Sequence, residues 1–274
     1  RRGRLRACAG PSLREVVAEA TSQATGARCH AGQIVRMPCS QPPPGGGLCR
    51  CGRHTAGMRW WPEEPAVTAW EPVDDSGLRT RVQAVLPVDR APLILVDGRS
   101  GGGKSTFAGR LAGLVDATVV HTDDLAWHHH PIDWADLLVA GVLDPFRRGD
   151  PVVFRPPAWV ARDRPGAIEV PAGRFLVVEG VGASRAELAA HADLVVWVQS
   201  DPTEARGRGL ARDVVLGRSP EQAEAFWDEW ARSEDPFIAA DRPWTRARLI
   251  VNGTPPQRDP SDTDVTWVAD GPLD

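Results

Sequence analysis

Apolar residues in this chain gather into short unbroken runs separated by long polar stretches. Leu93-Ile-Leu-Val-Asp97, Phe175-Leu-Val-Val178, Leu194-Val-Val-Trp-Val198 and Arg248-Leu-Ile-Val251 show little alternation. Runs of that length and character predict strands of a parallel sheet covered on both faces. Thr118-Val-Val-His-Thr122 predicts a further strand of this kind. Between the runs the period changes. Phe107, Leu111 and Leu114 recur at helical spacing and predict a helix over Lys104–Val115. Asp133-Trp-Ala-Asp136 opens a predicted helix carrying Leu137, Leu138 and Val142, with Asp133 at its start. Ser184-x-x-Glu187 spells a capping box. Asp201-Pro-Thr-Glu204 caps a helix bearing Arg206, Arg208 and Arg212, and Ser219-Pro-Glu-Gln222 caps another with Phe226, Trp227 and Trp230 as its apolar stripe. Two short strands, 151–154 and 167–170, flank the polar segment Arg155-Pro-Pro-Ala-Trp-Val-Ala-Arg162. This alternation across 92–253 predicts a three-layer α/β domain with right-handed crossovers. Ahead of it, 58–91 reads as a lead-in with a short helix between Gly77 and Leu86, its tryptophans packing on the domain. Behind it, the Pro- and Asp-rich residues 254–274 read as a loose tail.

Composition divides the chain. Residues 1–57 hold nine Arg against two Glu and all five cysteines, whereas the remainder holds 23 basic against 34 acidic side chains. The acidic body argues against a surface that coats nucleic acid. Cys39-x9-Cys49-x-Cys51-x2-His54 raises zinc but matches no common finger or ribbon, and the run Gln41-Pro-Pro-Pro-Gly-Gly-Gly47 lacks periodicity. Residues 1–57 are therefore expected to be a disordered extension or not part of the natural product, with Met58 preceding the change in composition. His128, His129 and His130 are consecutive, and side chains so placed rarely converge on one ion; they read as loop. No apolar run approaches the eighteen or so residues of a membrane helix, so a cytoplasmic protein is expected.

Chemistry enters with Gly98-Arg99-Ser100-Gly101-Gly102-Gly103-Lys104-Ser105-Thr106, directly after the first apolar run. It fits G-x-x-x-x-G-K-[ST], the phosphate-binding loop, in the required order of strand, loop and helix. Glycines let backbone N–H groups turn inward around phosphates, and the following helix aims its N-terminus at the same anion. Lys104 can reach the outer phosphates of ATP, and the Ser105 hydroxyl can ligate Mg²⁺. Lys104 is also the only lysine in the chain. The sole Asn, Asn252, is followed by Gly, so the Asn-Lys-x-Asp element with which GTPases read guanine is absent. The Leu-Ser-Gly-Gly-Gln signature of transporter ATPases is absent too. A small-molecule kinase is favoured.

Asp123 after the second strand, the Asp133 segment, Glu179-Gly180 after a core strand, Arg208-x3-Arg212-Asp213 and the segment from Pro236-Phe237 to Val251 together resemble the uridine kinase and related P-loop nucleoside kinase family. The resemblance covers about 92–253. It implies a parallel five-stranded sheet with a helical lid, and transfer of the γ-phosphate of ATP to a nucleoside hydroxyl. By the same resemblance Asp123 is the general base, Glu179 holds Mg²⁺ through water, and Arg208 and Arg212 clamp the moving phosphoryl group. Asp124 reads as a cap or turn residue. The chain departs from the family in Asp123-Asp-Leu-Ala-Trp127 and in a base-reading segment, 154–159, without tyrosine. Trp159 could stack on a base or pack. Arg155 and Arg162 could bind an acceptor phosphate, which leaves a nucleotide kinase open. A non-catalytic ATP-binding regulator is the reading from another class.

Overall fold

The helix and strand signals resolve into a seven-stranded sheet of order β1-β9-β8-β7-β2-β6-β3. The computed structural model describes residues 64–255 and 265–272, all within one compact unit, Ala56–Asp274. The extension 1–57, with its cysteines and the zinc question, lies outside the described residues. In chain order the elements are β1 (Glu71–Val73), α1 (Asp75–Gln83), β2 (Leu93–Gly98), α2 (Lys104–Val115), β3 (Ala117–His121), α3 (Thr122–Ala126) and α4 (Ala135–Leu138). A π turn, Val139–Leu143, leads into α5 (Asp144–Arg147), then β4 (Val152–Phe154), α6 (Pro157–Ala161), β5 (Ile168–Val170), β6 (Phe175–Glu179) and α7 (Ala186–Ala189). The chain continues through β7 (Leu194–Gln199), α8 (Pro202–Val215), α9 (Pro220–Asp241), β8 (Leu249–Asn252) and β9 (Thr266–Asp270).

The five strands β3, β6, β2, β7 and β8 are mutually parallel. Their side chains sort by the two-residue period. Leu93, Leu95, Val178 and Trp197 face one apolar layer; Ile94, Val96, Val177 and Val196 face the other, which α1 and α2 close with Leu78, Val82, Phe107 and Leu111. Burial on both faces is why β2, β6, β7 and β8 read as continuous apolar runs, while β3, at the sheet edge, is buried only at Val120. Helix α8 is capped by Asp201, whose carboxylate accepts from Thr203 N and Glu204 N, and α9 begins with a full Ser219/Gln222 capping box.

The expected five-stranded sheet is extended by two antiparallel edge strands. Strand β9 pairs with β8, and β1 pairs with β9. The stretch read as a loose tail thus supplies a sheet strand, with Val268 wholly buried. The lead-in supplies another, joined to the tail by Arg81, which bonds Glu71 and Asp270 at 2.7 Å each. Glu64 is buried beneath it, accepting from Trp197 Nε1 at 2.5 Å and Gln199 Nε2 at 2.8 Å. Two helix starts also differ from expectation. Trp134, wholly buried, precedes α4 where Asp133 was expected to cap, and Asp133 faces solvent. Helix α7 begins at Ala186, and the Ser184 hydroxyl bonds Asp97 instead of capping it. No helix among the described residues is long and apolar enough to cross a membrane.

Candidate active site

Strand β2 lies between β7 and β6, so its carboxyl end opens at the middle of the sheet, where open α/β folds bind ligands. The phosphate loop starts there. Gly101 has φ +70°, and a Cβ on it would stand 2.0 Å from the Ala205 carbonyl oxygen; Gly103, at φ +96°, caps α2. Lys104 folds back over the loop, its Nζ donating to the Arg99 carbonyl at 3.0 Å. Behind the loop, Asp97 is wholly buried and accepts from Gly98 N, Gly182 N, Ser184 N and Ser184 Oγ at 2.7–2.9 Å. Burial pushes its carboxyl pKa up even against these donors. It ties the start of the loop to the turn after β6.

Parallel register sets His121 of β3 opposite Glu179 of β6. Glu179 Oε1 meets both His121 Nδ1, at 2.5 Å, and the Ser105 hydroxyl, at 3.0 Å. Burial raises the Glu179 carboxyl, but the His121 contact, the Lys104 charge and Ser105 outweigh it, and its pKa falls below the usual value. Its other oxygen, Oε2, is buried with no hydrogen-bond partner. An anionic oxygen left over beside a helix-start hydroxyl suits a hard, hydrated divalent cation. His121 carries no motif signal and was missed in the sequence.

Asp123 and Asp124 occupy the first turn of α3, which begins at Thr122 directly after β3 ends at His121. Asp124 is committed to structure. It pairs with Arg164 at 2.7 Å, and its carbonyl accepts from Trp159 Nε1 at 2.8 Å. Arg164 also lies over the rings of Trp159, at 3.6 Å, and Trp127, at 5.0 Å. The β4–β5 insertion therefore clamps α3. Asp123 faces the other way, into a cleft of about 370 Å³ lined by Ser100, Trp127, Arg212, Arg218, Trp227 and Trp230, among others. Although solvent reaches it, the crowding cleft walls raise its pKa; Lys104 and Arg212 pull it down and Glu179 pushes it up.

The two arginines of α8 part company. Arg208 donates to the Gly253 carbonyl at 2.7 Å and to Thr254 Oγ1 at 3.3 Å. Gly253 itself abuts the loop, since a Cβ there would fall 2.0 Å from the Gly102 carbonyl oxygen. Arg212 lines the cleft with Asp123 and holds Asp213 at 3.0 Å. A helical spacing of four put both on one side, but each takes a different partner.

No protein-family model matches the chain, and no curated protein does. Solved structures do. A protein assigned as a fructose transport system kinase, from Silicibacter sp. TM1040, is 21% identical over 62% of this chain and 92% of its own, with a TM-score of 0.42. A protein assigned as a uridine kinase, from Bacillus stearothermophilus, is 17% identical over 64% and 96%, with a TM-score of 0.37. The shikimate kinase of Bacteroides thetaiotaomicron is 17% identical over 59% and 86%, with a TM-score of 0.30. Likeness at this level carries no argument about the chemistry, which is read from the site itself.

Four residues considered for the acceptor lie elsewhere. Asp133 is exposed, its backbone N–H bonded to His130 Nδ1. Arg155 is exposed and donates to the Arg164 carbonyl at 2.8 Å; Arg162 is exposed at the end of α6. Trp159 is 5% exposed and packs in the core, so the packing alternative holds over stacking on a base. The last three lie in the segment between β4 and β5, which packs Trp159 against α3 and leaves Arg155 and Arg162 exposed.

Proposed function

We propose that this protein is an ATP-dependent kinase that moves the γ-phosphate to a hydroxyl of a small, nucleoside-like molecule, in the manner of the uridine kinase-like P-loop family. The observation that carries it is Asp123. Its carboxylate faces an aromatic cleft that also touches Ser100 of the phosphate loop and Arg212 of α8. A hydroxyl seated there meets a carboxylate positioned to take its proton. The loop amides and Lys104 cradle the phosphates of ATP, and Arg212 neutralises charge on the phosphoryl group in flight. Ser105 and Glu179 would hold Mg²⁺, which would neutralise phosphate charge when bound. Arg208, beside Gly253 and Thr254, steadies the wall next to the loop.

Trp127, Phe226, Trp227 and Trp230 line the cleft, which suits an acceptor with a planar or apolar body. Arg155 and Arg162 lie outside the cleft lining, so the nucleotide-acceptor alternative loses the two cations that suggested it.

The test is ADP release by the full chain with ATP and Mg²⁺, screened over nucleosides, sugars and hydroxylated aromatics. Acceptor-dependent ADP release is expected for the planar class. ATP binding with no acceptor-dependent turnover across the screen returns the protein to the regulator reading.

A further inference from the structure

The phosphate loop is held from the acceptor side by two consecutive acids. Glu234 Oε1 accepts the Ser100 backbone N–H at 2.6 Å, and Asp235 pairs with Arg99 at 2.9 Å. Glu234 is 4% exposed, so its contact with Ser100 is shielded from water, whereas Asp235 keeps 43% of its side chain exposed and meets the buried Arg99 from the solvent side. An acid placed against a loop built for polyanions is not there for attraction. It repels the phosphates the loop must hold, and burial already pushes its own carboxyl pKa up. What it supplies is geometry, by fixing one loop amide from outside.

The acids sit on α9, and that helix has a second duty. Phe226, Trp230 and Glu234 are spaced four apart and so form one stripe along it. The first two, with Trp227, line the aromatic cleft; Ser100, which Glu234 holds, lines it as well. Pro236 follows the clamp directly and removes one helical hydrogen bond there.

Building on the kinase reading, we propose that Glu234 is a positioning residue for the phosphate loop, through which α9 couples occupation of the loop to the acceptor cleft. A shift of α9 by an acceptor against its stripe moves the Ser100 amide, and nucleotide seated in the loop orders the cleft wall. By linkage the two effects are equal.

The test uses the full chain and a non-hydrolysable ATP analogue with Mg²⁺. Affinity is measured by calorimetry, and amide exchange over 223–233 by mass spectrometry, for wild type, Glu234→Gln and Glu234→Ala. The amide of Gln keeps an acceptor oxygen and sheds the repulsive charge, so Glu234→Gln binds at least as tightly as wild type. Glu234→Ala leaves the Ser100 N–H without its partner, and affinity falls by about tenfold. Analogue slows exchange over 223–233 in wild type and Glu234→Gln, and leaves it unchanged in Glu234→Ala. Affinity and exchange in Glu234→Ala equal to wild type overturn the coupling and leave the kinase reading standing. A loss in Glu234→Gln as large as in Glu234→Ala, with both variants folded by circular dichroism, overturns the geometric role. Wild-type protein that binds no analogue overturns the kinase reading and the coupling together.

Discussion

Asp123 and Asp124 are neighbours with different tasks, and the difference lies in their partners. Asp124 spends its carboxylate on Arg164, forty residues on, while Asp123 points into the cleft toward Arg212. Asp123→Asn keeps the shape but cannot take a proton, so turnover of the acceptor found by the screen falls by about 10²–10⁴-fold with ATP affinity unchanged. Asp124→Asn gives up a half-shielded ion pair, costs about 1 kcal/mol in thermal unfolding and lowers turnover by less than tenfold. The reverse ranking would move the base to Asp124. Asp123 stands out in the sequence because it follows a recognisable strand and matches the general-base position of the family the chain resembles. The bond that excludes Asp124 could not, because Arg164 comes from a separate hairpin that no local pattern links to α3.

Elements meet here through small residues and buried acids. Gly209 of α8 faces Trp227 of α9, and a Cβ on it would stand 2.1 Å from the ring. Gly209→Ala therefore forces the two helices apart despite its better helix propensity. It costs about 1–3 kcal/mol in chemical denaturation and weakens acceptor binding more than ATP binding. An unchanged midpoint would show that the ring moves freely. At the start of β2, Asp193 accepts from Leu93 N at 2.8 Å and pairs with Arg90 and Arg147. Burial raises its pKa, but these partners outweigh that and hold it below its ordinary 3.8. A carboxyl lowered by folding contributes stability above its unfolded pKa and loses it as pH falls through the folded one. Asp193→Asn is accordingly less stable than wild type by about 2 kcal/mol at pH 7. The gap narrows only below about pH 4, as wild-type Asp193 is protonated; a gap that is flat down to pH 2 would assign the effect to packing. The same contest between local pattern and distant partner explains α7. Ser184-x-x-Glu187 looks like a cap, but the buried Asp97 needs the Ser184 donors more.

At the scale of the whole molecule, the segment expected to be loose closes the sheet. A chain ending at Pro255 loses β9, exposes the edge of β8 and strands β1 without a partner. Its unfolding midpoint drops steeply, by about 3 kcal/mol or more for the lost apolar burial, and it aggregates more readily through the bare edge. A truncated chain as stable as the full one would make β9 an accessory. What the sequence determined by itself was everything carried by short-range pattern: β2, β6, β7 and β8, because burial on both faces writes a continuous apolar run, with β3 marked by its shorter Val119-Val120 core; α2, α8 and α9, because their periods lie within a few residues; and the phosphate loop, because its glycines answer to local backbone geometry. Tertiary structure alone decided that Arg164 takes up Asp124, that Arg208 and Arg212 serve different walls, that His121 stands on Glu179, and that Glu234 holds the loop. It also decided that the lead-in and the tail segment pair at the sheet edge. Each of these depends on groups far apart in the chain meeting in three dimensions, and an edge strand with one face in solvent leaves too weak an apolar signal to announce itself beforehand.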